Sequence, residues 1–153
     1  MGMGTHTRPP ARLQAMPKSL GDVLSNPTLR SKFRNFLKEK HAVESLLFYE
    51  SAELYAKIDD AKWAKSAAMD IVSKFVSPDG FCASPIHRFC RANPLSCATE
   101  DEINIPSAVR EALLATKKWD KTSFDDAKAE AYKLLKANFF AAFIAREYFN
   151  DVQ

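Results

Sequence analysis

The sequence predicts an all-α bundle of seven to nine helices. Apolar residues recur at helical spacing, no segment reads as a β-strand, and Ser, Asn and Pro stand where helices would start. At 153 residues, 27% of them charged and 46% hydrophobic, the chain has the profile of one soluble domain with a core of its own. The net charge of +3 is too small to argue for nucleic acid. No apolar run approaches the roughly 18 residues of a membrane span, and the start lacks the apolar core of a secretion signal. A cytoplasmic chain is therefore expected, and three cysteines, an odd number, fit a reducing compartment.

Residues 1–17 contain two glycines and the Pro9-Pro10 pair without apolar periodicity, and they read as a flexible tail ahead of a domain at 18–153. Met1-Gly2 opens like a myristoylation signal, but His6 stands where that signal needs Ser or Thr, so no lipid is expected. Ser19 and Asp22 make a capping box for a short helix through Leu24. Asn26-Pro27 starts the next, because a proline at the first helical position loses no hydrogen bond. Leu29, Phe33, Phe36 and Leu37 give it one buried stripe. Beside that stripe Arg30, Arg34 and Lys38 recur every four residues, with Lys32 and Lys40 adding charge. A solvated face is the ordinary reading; peripheral contact with an anionic membrane is the alternative.

Glu44 to Ile58 is the strongest helix signal and the stretch around which the rest must pack. Val43, Leu47, Leu54 and Ile58 fall at helical spacing, while Leu46, Phe48, Tyr49 and Tyr55 load the adjacent positions, so the helix belongs inside the bundle. Its start is polar, with His41, Glu44 and Ser45, and that end is expected to reach the surface. After Asp59-Asp60, Ala64, Ala67, Ala68, Ile71, Val72 and Phe75 mark a helix whose small residues permit close packing. It should stop at the turn Ser77-Pro78-Asp79-Gly80. Ile105-Pro106-Ser107 opens a helix through Lys118 with Val109, Leu113 and Leu114 inward. Ser123 and Asp126 suggest a second capping box, for a helix carrying Phe124, Ala127, Ala131, Leu134 and Leu135. Asn138 interrupts before a last helix with Phe139, Phe140, Phe143, Ile144, Tyr148 and Phe149.

Several chemistries are excluded. Gly21 and Gly80 are the only glycines past the tail, too few for a P-loop or a dinucleotide fingerprint. His6, His41 and His87 are the only near-neutral bases and none adjoins a nucleophile motif, so no enzyme activity of its own and no cofactor is expected. Cys82, His87, Cys90 and Cys97 form a Cys-x4-His-x2-Cys-x6-Cys array, enough ligands for tetrahedral zinc. The spacing matches no standard zinc module, and Phe81, Ile86 and Phe89 beside it fit ordinary burial, so no metal is the expected reading.

The order of blocks carries a further signal. Leu20–Leu24, FRNFLKEK at Phe33–Lys40, ESLLFYESAELYAK at Glu44–Lys57, EINIP at Glu102–Pro106, SFDDAKAEAYKLL at Ser123–Leu135 and FFAAFIAREYF at Phe139–Phe149 follow one another in a familiar succession. In it the chain from Ser19 to about Val152 resembles a regulator of G-protein signalling (RGS) domain. The resemblance implies a bundle of about nine helices with an antiparallel four-helix core, and an insertion at about 79–101. It also implies a signal transduction inhibitor: a cytoplasmic monomer, recruited to the inner face of the plasma membrane, that binds an activated Gα subunit and accelerates its GTP hydrolysis. The contact positions so implied are Glu44, Ser45, Asn104, Leu134 and Asn138. Ser45 stands where the family commonly has Asn, Asn138 where it has Asp, and Ala142 where it has Arg. Those changes leave open a second reading, a scaffold of the same fold that binds Gα or another signalling protein without accelerating hydrolysis.

Overall fold

The computed structural model describes residues 16–76 and 103–149. Residues 1–15 of the N-terminal tail, the Ser77–Gly80 turn and the Cys82, His87, Cys90 and Cys97 array lie outside the described residues. Among the described residues seven α-helices run in the order α1 (Leu20–Ser25), α2 (Pro27–Glu39), α3 (Val43–Tyr55), α4 (Ala61–Phe75), α5 (Ser107–Ala115), α6 (Asp125–Leu135) and α7 (Ala141–Phe149). A π-helical turn, Lys136–Phe140, joins α6 to α7. No strand occurs among the described residues.

The first two helices start as their caps dictate. Ser19 Oγ accepts from the Asp22 amide at 3.2 Å, and the Asp22 carboxylate accepts from the Ser19 amide at 2.9 Å. The Ser19 hydroxyl beside the carboxylate, and then the Ser19 amide, hold the Asp22 carboxyl below the ordinary carboxylate range. Asn26 Oδ1 accepts from the amides of Thr28 and Leu29, with Pro27 at the first position. Asp60 does the same for α4. At the other end of α2 the Ala42 amide reaches back to Leu37 O and the His41 amide to Lys38 O. This pair of bonds closes the helix through a residue in the left-handed region, here His41 at φ 51°.

Two buried clusters make the core. One gathers Leu20, Val23, Leu29, Phe33, Phe36 and Leu37 from α1 and α2 with Leu46, Leu135, Phe143 and Ile144. The other gathers Phe48, Ala52 and Tyr55 with Ala68, Ile71 and Phe75 of α4, Ile103, Ile105, Leu113, Phe124, Ala127 and Ala131. Helices α3 and α6 each contribute to both, so they are the beams that join them. The buried side of α3 runs through Ser45, Leu46, Phe48, Ala52 and Tyr55; Val43, Leu47 and Ile58 pack against the core partly buried, and of the expected apolar positions Leu54 is the one left outside. Leu54 is 65% exposed. A helix apolar on nearly every side has too little periodicity for the pattern to choose its inner face.

Ring contacts fix the directions. Phe48 lies 5.8 Å from Phe75 at the end of α4, while Tyr55 lies 4.9 Å from Phe124 at the start of α6. Tyr49 lies 6.1 Å from Tyr132, nearer the end of α6. Both α4 and α6 therefore run antiparallel to α3. Trp119, just past α5, stacks on Phe124 at 5.4 Å, so the end of α5 and the start of α6 lie together. Lys121 pairs with Asp59 at 2.5 Å across the end where the α3–α4 and α5–α6 turns meet.

Three local expectations are corrected. Helix α5 ends at Ala115 rather than Lys118, and Leu114 is 50% exposed instead of inward. The Ser123–Asp126 capping box does not form: α6 has Phe124 at its N-cap position with no side-chain cap. Asp120 takes over, accepting from the Thr122 hydroxyl and amide and from Ser123 Oγ. Asn138 does not end a helix but lies inside the π-helical turn, which adds one residue to the winding. That extra residue sets Leu135 and Phe143 on one face of a continuous rod, and both enter the same core cluster.

Candidate functional site

The antiparallel arrangement brings one end of three elements together. The start of α3, with Glu44 and Ser45, lies at the end of the bundle where α4 and α6 finish. Leu134 closes α6, Asn138 follows in the π-helical turn, and Asn104 lies in the segment that leads from the end of α4 into α5. Residues as far apart in the chain as Glu44 and Asn138 thus share one end of the bundle.

Asn104 is the most sharply defined of them. Ile103 is 1% exposed and Ile105 5%, and the alternation of this short extended piece turns Asn104 outward between two anchors. The α5 N-cap position belongs to Pro106, without a side-chain cap. Asn104 is therefore not a helix cap, and its carboxamide makes no hydrogen bond to a described residue. The backbone beneath it is pinned: the Ile103 amide donates to Phe75 O at 3.0 Å. Arg110, on α5, donates from Nη1 to Val76 O at 2.8 Å and from Nη2 to Ile103 O at 3.0 Å.

The other positions differ in character. Glu44 is half-buried in the first turn of α3, where the positive end of the helix dipole favours a carboxylate. Ser45 faces inward at 6% exposure, contrary to the expectation that the polar start of this helix reaches the surface. One turn of helix cannot direct both neighbours outward, and Ser45 shares its side with Phe48 and Ala52. Leu134 is half-buried and belongs to neither core cluster, while Asn138 and Ala142 are exposed. His41, in its left-handed conformation, stands exposed at the turn just before α3.

On the basic face of α2 Lys32, Lys38 and Lys40 are exposed, as a solvated face requires, while Arg30 and Arg34 are half-buried. Arg30 reaches Glu50 at 3.2 Å and Glu53 at 2.7 Å, and Arg34 reaches Glu50 at 2.5 Å. Two arginines are thus engaged with carboxylates of α3, and Lys32 pairs with Glu147 at 2.6 Å. Burial, helped by the Glu53 charge, pushes the neighbouring Tyr49 phenol above its ordinary pKa. Glu39 takes a bidentate contact from Arg146 of α7, which holds its carboxyl below the usual range. No group of three or more His, Cys, Asp or Glu that could hold a metal occurs among the described residues. No described helix is long and apolar enough to cross a membrane.

Sequence reasoning missed Arg110. A signal was present, because a cation near the start of a helix faces an unfavourable dipole and needs another reason to be there. The open carbonyls at the end of α4 supply it.

The all-α scaffold carries polar side chains on three elements that converge at one end of the bundle, and a fold of this kind leaves the function to the site it presents. The family model for the regulator of G protein signaling domain matches residues 19–152, and the chain belongs to that family. Members of the family bind Gα subunits. No curated protein matches the chain.

Proposed function

We propose that this domain is a GTPase-activating protein for a heterotrimeric Gα subunit. It acts as a cytoplasmic monomer at the inner face of the plasma membrane and binds Gα in its activated or transition-state form. The observation that carries this reading is the Asn104 segment: an outward carboxamide, unpartnered among the described residues, on a backbone anchored by two buried isoleucines and Arg110. A Gα subunit already supplies its own arginine finger and a glutamine that orients the attacking water, so what limits it is preorganisation. A partner accelerates hydrolysis by holding the mobile switch segments in the transition-state arrangement, and a rigidly mounted amide suits that task. In this reading Glu44, Ser45, Leu134 and Asn138, carried by the elements that end at the same side of the bundle, complete the contact with Asn104. The domain itself contributes no covalent chemistry.

The test is single-turnover GTP hydrolysis by Gα with the wild-type domain and with Asn104→Ala. Acceleration that falls on the order of tenfold or more in the variant is expected; acceleration that survives intact would remove Asn104 from the mechanism. One observation favours a second reading, a scaffold that binds without accelerating: Ser45 is buried and Ala142 offers only a methyl group at an exposed position. Tight binding to a transition-state-like Gα complex with no change in hydrolysis rate would select it.

A further inference from the structure

We infer that Arg110 is the positioning residue of this site: its guanidinium bridges the carbonyls of Val76 and Ile103 and thereby sets the height and direction of Asn104. The inference rests on the Gα-regulating reading above and extends it to a residue that touches no partner. Val76 is the C-terminal capping residue of α4, and its carbonyl is one that the helix leaves open. Ile103 is where the described chain resumes, one residue before Asn104. The two parallel donors of a planar fork fix both the separation and the relative orientation of the carbonyls they hold, which a single-point cation cannot do. The positive charge also lies at the negative end of the α4 dipole. The Ile103 amide bonded to Phe75 O and Arg110 bonded to Val76 O tie the end of α4 to the segment that opens α5, and the bond from Arg110 to Ile103 O fixes that segment to the same guanidinium. The Asn104 side chain thus inherits its position from α4 and α5 together, not from its own segment.

Two variants and two readouts test this in the whole chain. Hydrogen exchange, followed by mass spectrometry over residues 103–106, should speed up in Arg110→Ala while exchange in α2 and α3 stays unchanged. Exchange unchanged at 103–106 would overturn the clasp, whatever the domain does to Gα. In single-turnover GTP hydrolysis Arg110→Ala should lose roughly tenfold to a hundredfold of the acceleration, the scale expected when a positioned group drifts by about an ångström. Arg110→Lys should recover only part of it. The decisive comparison is the double variant: in an Asn104→Ala background, Arg110→Ala should cost nothing further, because its effect travels through that side chain. Losses that simply multiply would assign Arg110 a general structural role and overturn the inference. Absence of both acceleration and binding of Gα with the wild-type domain would overturn the reading on which it rests, while the exchange result would still decide the clasp.

Discussion

Three consecutive residues should separate stability from activity. Ile103, Asn104 and Ile105 alternate in, out, in, with Ile103 at 1% exposure in a core that also holds Phe48, Phe75 and Val76. Ile103→Ala removes three carbons from that core. At about 0.8 kcal/mol for each buried methylene the transfer loss is roughly 2.4 kcal/mol, and the cavity left behind raises it to about 3 kcal/mol. Asn104→Ala removes an exposed carboxamide with no bond to a described residue, so its effect should stay within about 0.5 kcal/mol. Urea unfolding followed by helical circular dichroism reads both. At a slope of about 2 kcal/mol per molar, Ile103→Ala should lower the midpoint by roughly 1.5 M while Asn104→Ala barely moves it. The GTPase assay should rank the pair the other way round under conditions where both are folded. A loss above about 1 kcal/mol in Asn104→Ala would show that the carboxamide serves the fold. A near-neutral Ile103→Ala would show that the segment is not anchored as described.

Other outcomes follow from single features. His41 holds the left-handed region at a cost of about 1–2 kcal/mol, of which His41→Gly should recover about 0.5 kcal/mol after the added freedom of the unfolded chain is subtracted; His41→Ala should show no such gain in the same urea titration. Tyr55 is 2% exposed and its hydroxyl has no hydrogen-bond partner in good geometry among the described residues; burial and then the Asp120 charge push its pKa up against a smaller opposing effect of the Ser123 hydroxyl. Tyr55→Phe should therefore raise stability by about 1 kcal/mol, and a loss would mean that the hydroxyl is held after all. Asp22, Glu39, Asp59 and Asp120 have pKa values lowered in the fold, chiefly by hydrogen bonds from Ser19, Arg146, Lys121 and Thr122 respectively. A lowered carboxyl contributes stability that is present above its unfolded pKa and lost as pH falls through the folded one. The thermal midpoint should accordingly fall as pH drops below about 4, and a flat midpoint between pH 5 and pH 3 would contradict these contacts.

Much of the fold is local and could be read from the chain. The Ser19 and Asn26 caps, the alanine stripe of α4 and the order of the blocks depend on neighbours within a turn or on spacing along one helix. The inner face of α3 could not be read, because Leu47 and Leu54 are as apolar as Leu46 and only the neighbouring helices decide which is covered. The pairs that join Arg30 and Arg34 to Glu50 and Glu53 depend on how α2 lies against α3, which no spacing within α2 encodes. Asn104 stood out because an Asn between two isoleucines has an outward direction wherever both isoleucines are buried. Ser45 was misjudged for the converse reason: a small hydroxyl on a packed helix fits the interior, and polarity alone does not set its direction. At Ser123 a local motif lost to Asp120, which offers the same turn three bonds where Ser123 could offer one.

The π-helical turn gives the last helix an unusual kind of constraint. An α-helix advances about 100° per residue, so the extra residue wound into Lys136–Phe140 sets the angular phase of everything after it. With that phase, Phe143 meets Phe33 at 5.0 Å and Phe36 at 5.8 Å, and Arg146 faces Glu39. Shifted by one residue, the same side chains would point a quarter-turn away, with every amino acid between them unchanged in type. Over this stretch the chain carries information in how many residues it has, and the docking of its final helix is specified by a count.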